Sequence, residues 1–211
     1  MKLLLHTCCG PCLIYPLSRL KEKGFEVTGF FYNPNIHPFQ EYKNRKEALE
    51  LLRDGSQTKA KCVPTGDTPT IELRTVPTII EVIYPEYEPS DFFQAVNQKE
   101  ISLTRCSICW SLRLKKTAQA AKECGFVYFS TTLLVSPYQD QGLLKDIGTD
   151  ISKELGVAFY YEDFRPGFRE AHRQAHSLGI YCQKYCGCIY SEMERSKVKS
   201  QKSKVKSSSQ N

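Results

Sequence analysis

The cysteines of this 211-residue chain are the feature that most constrains what it can fold into. Seven of the ten fall into three tight groups far apart in the sequence: Cys8, Cys9 and Cys12 in HTCCGPC, Cys106 and Cys109 in RCSICW, and Cys186 and Cys188 in KYCGCIYS. Such groups bring sulfur ligands to one point at little loop-closure cost. Seven sulfurs exceed what one tetrahedral metal or one four-iron cluster can use. The pattern therefore indicates either a cluster with a neighbouring metal or metal ligands beside reactive thiols.

Length and composition are those of a globular metalloenzyme with one domain. The hydrophobic fraction of 41% and the charged fraction of 25% are ordinary, and a chain of this length can bury one good-sized core. No apolar run approaches the roughly 20 residues needed to span a bilayer. The apolar stretch at residues 3–5 is shorter than the roughly 7–15 residues of a secretory leader. We therefore expect no membrane partner and a cytoplasmic protein, whose thiols stay reduced.

The formal net charge of +6 is concentrated at one end of the chain. Residues 196–211 contain five lysines and no acidic residue, so subtracting five from +6 leaves about +1 for the body. This segment repeats SKVKS and lacks aromatic residues. We therefore predict one α/β domain at residues 1–195 and a disordered, lysine-rich tail at residues 196–211. Two interpretations of the tail stay open, a solubilising role or weak, salt-sensitive affinity for nucleic acid.

The hydrophobic pattern predicts strands that alternate with helices. The predicted strands are residues 2–6, 27–32, 78–83, 127–131 and 157–161. The predicted helices are residues 11–23, 39–52, 89–98, 111–124, 143–155 and 171–178, with an irregular loop at residues 55–77. This alternation predicts an α/β fold with a parallel sheet and helices on both faces. Because ligands in such folds lie outside the carboxyl ends of the strands, we expect a metal site there, beside the HTCCGPC, NPNIHP and STTLLVSPYQD segments.

Three interpretations of the cysteines stay open at this stage. The segment from Cys9 to Cys12 reads CGPC, which is typical of thioredoxin-like thiol–disulfide exchange, but here it follows the first strand and leaves other cysteine pairs unexplained. A zinc site formed by the other two pairs is a stronger rival. An iron–sulfur cluster accounts for more of the residues, and Gly187 would let the backbone pass close to it.

Six ordered motifs make the chain resemble a known family. HTCCGPC, GFFYNPNIHP, RCSICW with LRLKKTA, STTLLVSPYQD, DFRPGF and QKYCGCIYSE occur in order over about residues 4–194. Together they are similar to the cobalamin-independent epoxyqueuosine reductases of the QueH family. The resemblance implies reduction of epoxyqueuosine to queuosine in the anticodon loop of tRNA, the final step of queuosine biosynthesis. It also implies a Rossmann-like, HUP-type fold that holds a 4Fe-4S cluster beside a separately bound iron.

The resemblance divides the seven motif cysteines into four cluster ligands and three ligands of the second metal. We assign the cluster to Cys9, Cys106, Cys109 and Cys186, and the second metal to Cys8, Cys12 and Cys188. Cys186 and Cys188 are interchangeable in this assignment. The set of seven follows from the motifs, and the division within it is a hypothesis.

The implied reaction needs two electrons, protons and a group that holds the departing epoxide oxygen. We expect the oxygen to be held by the second metal as a Lewis acid, and the electrons to come from an external donor through the cluster. The candidate proton donors, in loops at strand ends, are His37, Tyr138 and Asp140. The candidates for holding one base of an exposed RNA loop are Phe164, Arg165, Phe168, Lys184 and Tyr185.

Each of these candidates also has a purely structural interpretation. His37 is equally well explained as a turn residue, and aromatic side chains in such segments are often part of the core. Two alternatives from other classes also remain, a zinc-stabilised RNA-binding module without redox activity and an ATP-using tRNA-modifying enzyme of related fold. The second lacks support, because cysteines occupy the place of an SGGxDS-type phosphate loop after the first strand.

Overall fold

The sheet is built around one strand that is apolar on both faces. The computed structural model describes residues 1–53 and 80–208 and, within these, the side chains of all but residues 53 and 199–208. The central strand β1 (Lys2–His6) buries Leu3, Leu4 and Leu5 completely. Uninterrupted apolar strands are typical of parallel sheets that are covered on both faces.

Five parallel strands form the sheet, in the order β3-β2-β1-β4-β5. The strands that flank β1 are β2 (Glu26–Phe30), β3 (Glu81–Ile83), β4 (Tyr128–Thr131) and β5 (Ala158–Phe159). The register places Leu5 beside Gly29 on one side and beside Ser130 on the other. This strand order is that of the Rossmann fold, so the predicted α/β class and all five predicted strands are confirmed. The predicted loop at residues 55–77 lies outside the described residues.

Helices connect the strands in two groups. The helices are α1 (Gly10–Glu22), α2 (Phe39–Arg53), α3 (Pro89–Val96), α4 (Ser102–Glu123), α5 (Gln141–Leu155), α6 (Phe168–Ser177) and α7 (Ile189–Ser208). Helix α1 packs against α2 and α6, while α4 packs against α3 and α5. Pro11 lies in the first turn of α1, where a missing N–H costs nothing, and Gly24 follows its end at φ +81°. None of the described helices is both long and apolar enough to cross a membrane.

Two helices extend further than the sequence predicts. The prediction begins α4 at residue 111, after the cysteine pair, whereas the helix begins at Ser102 and carries Cys106 and Cys109 within it. Residues 196–208, predicted to be disordered, continue α7 to Ser208. Both segments lack glycine and proline, the residues that most strongly end a helix.

The carboxyl end of the sheet is where the first cysteine group lies. Strand β1 leads directly into Cys8 and α1, and the adjacent β4 leads into a short 3₁₀ turn at Thr132–Val135. Thr132 meets Cys8 across this edge, since the Cys8 N–H donates to the threonine Oγ1 at 3.2 Å. The predicted position of the site, outside the strand ends, agrees with this arrangement.

Candidate metal centre

Three cysteine sulfurs lie together where the central strand leads into α1. The Sγ atoms of Cys8, Cys9 and Cys12 are all within 4.8 Å of one another, and the three side chains are buried. We call these three residues the triad. Cys9 has extended backbone and precedes the helix, while Cys12 lies in its first turn. This strand-to-helix junction therefore turns three nearby sequence positions toward one point, in an arrangement that could hold a metal ion.

Hydrogen bonds orient the sulfurs of the triad. The Thr132 hydroxyl lies 3.5 Å from Cys8 Sγ, and the Gln183 side-chain amide donates to Cys12 Sγ at 3.2 Å. Hydrogen bonds from Cys12 and Cys9 hold the pKa of Cys8 well below its ordinary value. Cys8 is therefore the member of the triad that most readily becomes a thiolate, the form that binds metals.

Beneath the triad, His6 is a fixed neutral imidazole. Its Nδ1 lies 3.0 Å from Thr131 Oγ1 and its Nε2 lies 3.2 Å from the Tyr32 carbonyl oxygen. Burial lowers the pKa of His6 to about 3. Its role in the structure is to join β1 to β4 and to the loop that follows β2.

The second cysteine group projects from one face of α4. Cys106, Cys109 and Arg113 are spaced three and four residues apart, which places them on the same side of the helix. Burial raises the pKa of the Cys109 thiol to about 11, and the nearby Arg113 guanidinium opposes that rise. Arg113 also donates from Nε to the Cys109 carbonyl oxygen at 3.1 Å.

The third group lies on the loop between α6 and α7, residues 178–188, which we call the CGC loop. In this group, the sulfurs of Cys186 and Cys188 are 3.7 Å apart. The hydrogen bond from Cys188 is the main reason that the pKa of Cys186 is lowered, to about 5. Cys188 packs with Cys109 and Phe92 in a small buried cluster, so this loop reaches the α4 cysteines.

A buried arginine from α2 holds the CGC loop in place. Arg45 is only 1% exposed and donates to the carbonyl oxygens of Tyr185, at 2.9 Å, and Cys186, at 3.2 Å. Its charge is paired with Glu41 at 2.8 Å, and Glu41 also accepts a hydrogen bond from the Tyr181 hydroxyl. This network connects α2 to the CGC loop at two places, Tyr181 and the Tyr185–Cys186 backbone.

Gly187 is required by the geometry of the CGC loop. Its φ of +118° is one that side-chain-bearing residues rarely adopt. A Cβ at this position would also lie 2.9 Å from Ile36 Cγ1 and 3.3 Å from a terminal nitrogen of Arg45. The backbone therefore passes close to Arg45 only because residue 187 is glycine.

All three cysteine groups meet at one cavity of about 510 Å³. Its wall includes six of the seven motif cysteines: Cys8, Cys12, Cys106, Cys109, Cys186 and Cys188. Cys9 is behind the wall, with its sulfur beside those of Cys8 and Cys12. The structure thus brings together the whole predicted ligand set. It groups Cys9 with the other triad members and Cys188 with Cys109, whereas the predicted division separates both pairs; that division stays a prediction.

Buried arginines surround the sulfurs with positive charge. Arg45 interacts electrostatically with Cys8 and Cys9, Arg105 with Cys106 and Cys188, and Arg113 with the cysteines of α4 and with Cys186. All three arginines are at most 3% exposed. Arg45 is paired with Glu41 and Arg105 with Glu194, so carboxylates already balance part of this charge. Closely spaced thiolates in a low-dielectric site repel one another unless cations are nearby. The arrangement can therefore hold several thiolate ligands at once.

The predicted proton donors differ in their access to the cavity. Tyr138 and Asp140 line it, and Asp140 also accepts the Leu143 N–H at 2.9 Å as the N-cap of α5. His37 is not part of the wall. Its ring packs on Phe93 with centroids 4.7 Å apart, and neither ring nitrogen has a partner among the described residues. Burial lowers the pKa of His37, so the side chain is neutral.

The predicted base-holding residues also divide into two sets. Phe168, Lys184 and Tyr185 line the cavity. Arg165 lies away from it and is paired with Asp163 at 2.6 Å. Phe164 is completely buried in the hydrophobic core, so its ring is not available to a base, and that prediction is corrected by the packing.

Several cavity residues were missed by the sequence analysis. They are Arg45, Arg105, Trp110, Arg113, Thr132, His172 and Gln183. A signal existed for Arg113, since it follows Cys106 and Cys109 at helical spacing. The Nε2 of His172 is buried and has no hydrogen-bond partner in the described part of the chain. For Arg45 the local pattern resembles an ordinary surface pair with Glu41, and only the fold reveals its burial.

Comparison with known proteins identifies relatives over almost the whole chain. Residues 3–194 match the family model described as epoxyqueuosine reductase QueH. The epoxyqueuosine reductase QueH of Dehalococcoides mccartyi is 37% identical over 194 residues, which cover 92% of this chain and 94% of that protein. The protein of the same name from Thermotoga maritima is 35% identical and covers 91% of both chains. The one from Streptococcus pyogenes is 33% identical and covers 89% and 69%.

Among solved structures, one archaeal protein aligns at low similarity. It is the predicted subunit of tRNA methyltransferase from Methanocaldococcus jannaschii, with a TM-score of 0.48 and 10% identity over 82% of this chain and 75% of that one. This likeness is too distant to bear on function.

Proposed function

Because this chain belongs to the QueH family of epoxyqueuosine reductases, we propose that it reduces epoxyqueuosine to queuosine in tRNA. The reaction removes the epoxide oxygen as water and leaves a carbon–carbon double bond, which consumes two electrons and two protons. The observation that carries the proposal is the convergence of all seven motif cysteines on one cavity, within the matched residues. The family name alone would not require this chain to retain the site.

The residues present fit the cofactors that we propose, a 4Fe-4S cluster and a second metal ion, taken to be iron. Thiolates are the ligands that iron–sulfur clusters use. The donor set is sulfur-rich, largely buried and compensated by three buried arginines. When bound, a cluster passes electrons and a second metal with an open position acts as a Lewis acid toward an oxygen ligand.

Two divisions of the seven cysteines can be distinguished by experiment. The predicted one gives Cys9, Cys106, Cys109 and Cys186 to the cluster and Cys8, Cys12 and Cys188 to the second metal. The grouping of sulfurs in the triad favours another, in which Cys8, Cys9 and Cys12 share the second metal. The experiment replaces each of the seven cysteines by serine in turn. Under the first division, the Cys9→Ser protein should contain less sulfide, as should the Cys106→Ser protein. Under the second, the Cys9→Ser protein should lose one metal and keep sulfide.

The protein residues of the cavity bind the substrate and supply protons. Five of the seven cysteines are buried, while Cys186 is exposed and Cys106 is half-buried, so a base can reach the sulfurs from that side of the cavity. Tyr138, Asp140 and His172 are among the described groups on the wall, other than thiols, that can hold a proton. Of our three predicted donors, we therefore propose Tyr138 and Asp140 and leave His37 out.

Aromatic and basic side chains at the mouth suit a base from an exposed RNA loop. Tyr138 is 84% exposed and contacts the edge of Phe168, with ring centroids 6.1 Å apart. Tyr185 and the exposed Lys184 also line the cavity. They belong to the CGC loop and directly precede Cys186 in the sequence. We propose that tRNA presents the modified base here, in the cytoplasm, and that an external reductant supplies the electrons.

The experiment that tests the proposal uses full-length protein purified without oxygen. We expect about four sulfides and more than four irons per chain, and conversion of epoxyqueuosine to queuosine in tRNA when a chemical reductant is supplied. Nucleoside analysis by mass spectrometry measures the conversion, and a Cys106→Ser variant with normal folding is the control. Zinc without sulfide, together with no conversion, would replace the proposal with a zinc-stabilised RNA-binding module.

A further inference from the structure

Helix α7 begins at the metal centre and continues beyond it. Its first residue, Ile189, follows Cys188 directly, and Arg195 lines the cavity while donating to the Lys184 carbonyl oxygen. From residue 196 to residue 198 the side chains are exposed, so the helix leaves the body of the protein at that point. The family match ends at residue 194, so it does not account for this part of the chain.

The positive charges of α7 fall into two sets by helical register. Residues 199, 202 and 206 are lysines that follow Arg195 by four, seven and eleven positions, the spacing of one helix face. We call Arg195, Lys199, Lys202 and Lys206 the α7 stripe. At 1.5 Å per residue it extends about 16 Å from the cavity wall. Lys197 and Lys204 share a register roughly opposite to it, and residues 196–211 contain no acidic side chain.

We propose that the α7 stripe binds the phosphate backbone of the tRNA whose modified base enters the cavity, an inference that rests on the proposed function. A polyanion held at the cavity mouth brings phosphates next to Arg195, and the stripe continues along one line from that residue. The body carries a net charge of only about +1 without the tail, so general attraction by the body is weak. A line of cationic residues along the helix would supply the positive charge that the body lacks.

The stripe has a second physical consequence. Like charges spaced three or four residues apart on a helix repel one another in water. Phosphates along the stripe would relieve this repulsion, because their negative charges lie between the lysines. Each phosphate that a lysine neutralises also releases condensed counterions from the RNA. Binding of tRNA should therefore depend steeply on salt.

The test compares two double variants that remove the same charge from opposite registers. Lys199→Gln with Lys206→Gln removes two stripe lysines, and Lys197→Gln with Lys204→Gln is the matched control, with glutamine keeping a high helix propensity. The affinity of the full-length holoprotein for a tRNA transcript is measured over a range of KCl concentrations. We expect the stripe variant to bind several-fold more weakly at low salt and its log–log salt slope to fall by roughly 2. The control variant should lose less than half as much affinity for the tRNA transcript.

Other outcomes overturn the inference. Equal losses in the two variants would mean a charged tail without an ordered face, and no loss in either would mean a tail that does not bind RNA. Weaker binding to phosphatidylglycerol vesicles, with unchanged tRNA binding, would assign the stripe to a membrane surface. Because the binding assay needs no turnover, a stripe effect without epoxyqueuosine reduction would leave the stripe standing and reject the proposed function.

Discussion

The triad and the CGC loop bring cysteines to the same cavity by different means. The triad is positioned by backbone that is continuous with the central strand, with its residues at a strand-to-helix junction. The CGC loop lies between two helices and is held by side-chain contacts from Arg45, about 140 residues away in the sequence. The first site is a local consequence of chain direction, and the second depends on a buried charge far from it. The two should therefore respond differently to substitution, which the following predictions test.

The largest effect is expected from Arg45→Met, which should destabilise the protein by about 3–5 kcal/mol, because it leaves Glu41 buried without its cationic partner. Urea denaturation measures this change. In metal-free protein, Cys186 and Cys188 should also be alkylated faster while the triad stays protected. The control is Lys115→Met, which breaks an exposed pair with Glu154 and should cost no more than about 1 kcal/mol. Equal costs for the two variants would mean that the CGC loop does not depend on Arg45.

A smaller loss is expected from Gly187→Ala, about 2 kcal/mol or somewhat more, because the new side chain combines an unfavourable φ with a close approach to Ile36. Gly24→Ala is the matched control, since Gly24 also has a positive φ, of +81°, but its Cβ would meet nothing within 4 Å. Thermal and chemical unfolding of both variants give the comparison. If Gly24→Ala cost as much as Gly187→Ala, the close packing of the CGC loop would contribute nothing.

On the side of the triad, Thr132→Val should cost about 1 kcal/mol, since it removes hydrogen bonds to Cys8 without opening a cavity. Because the lost Thr132 hydrogen bond also helps to lower the pKa of Cys8, alkylation should become slower at Cys8 and stay unchanged at Cys186. Thr149→Val, on an exposed face of α5, is the control and should change stability by less than about 0.5 kcal/mol. Faster labelling of the CGC loop in Thr132→Val would show that the two regions are not independent.

The smallest effect at neutral pH is expected from His37→Phe, because the ring packs among phenylalanines and both of its nitrogens lack partners in the described structure. Burial lowers the pKa of His37 below that of the unfolded chain, so stability is full above about pH 6.5 and falls as the pH drops below it. The stability of the variant should fall less steeply as the pH drops below about 6.5, and the variant should retain turnover. Some slope will persist, since His6 titrates with the same sign.

Loss of turnover in His37→Phe at normal stability would restore His37 as a proton donor. It would also mean that the CGC loop, whose Gly187 carbonyl accepts the His37 N–H at 2.8 Å, is supported by a catalytic residue.

The same contrast explains which parts of the molecule could be predicted from the sequence. The leucines of β1, Pro11 and Gly24 act locally, so the strand, helix α1 and the position of the triad followed from short-range patterns. The start of α4 was misplaced because a CxxC pair is typical of loops, although Cys106, Cys109 and Arg113 already have helical spacing. Phe164 was assigned to the base site because an aromatic residue beside an arginine looks the same whether buried or exposed.

The network around Arg45 lay beyond sequence reasoning for a physical reason. A glutamate four residues before an arginine on a helix is the ordinary pattern of an exposed surface pair. What makes Glu41 and Arg45 different is that the carbonyl groups of Tyr185 and Cys186 lie against them, and no local signal encodes that contact. Positions of this kind are determined by tertiary packing, and so were Thr132 and Gln183, whose partners Cys8 and Cys12 lie 124 and 171 residues away.

The wide spacing of the cysteine groups also determines how long after one another they are synthesised in the cell. Cys8 and Cys188 are 180 residues apart, by subtraction of their positions. A ribosome adds roughly 5–20 residues per second, so about 9–36 s separate the synthesis of these two cysteines. Strand β4, which pairs with β1, is also synthesised only about two thirds of the way through that interval. The triad is therefore exposed on the nascent chain, able to take up a single metal, well before the remaining cysteines exist. Under the division in which Cys8, Cys9 and Cys12 share the second metal, nascent chains stalled before residue 106 should bind one metal and no sulfide.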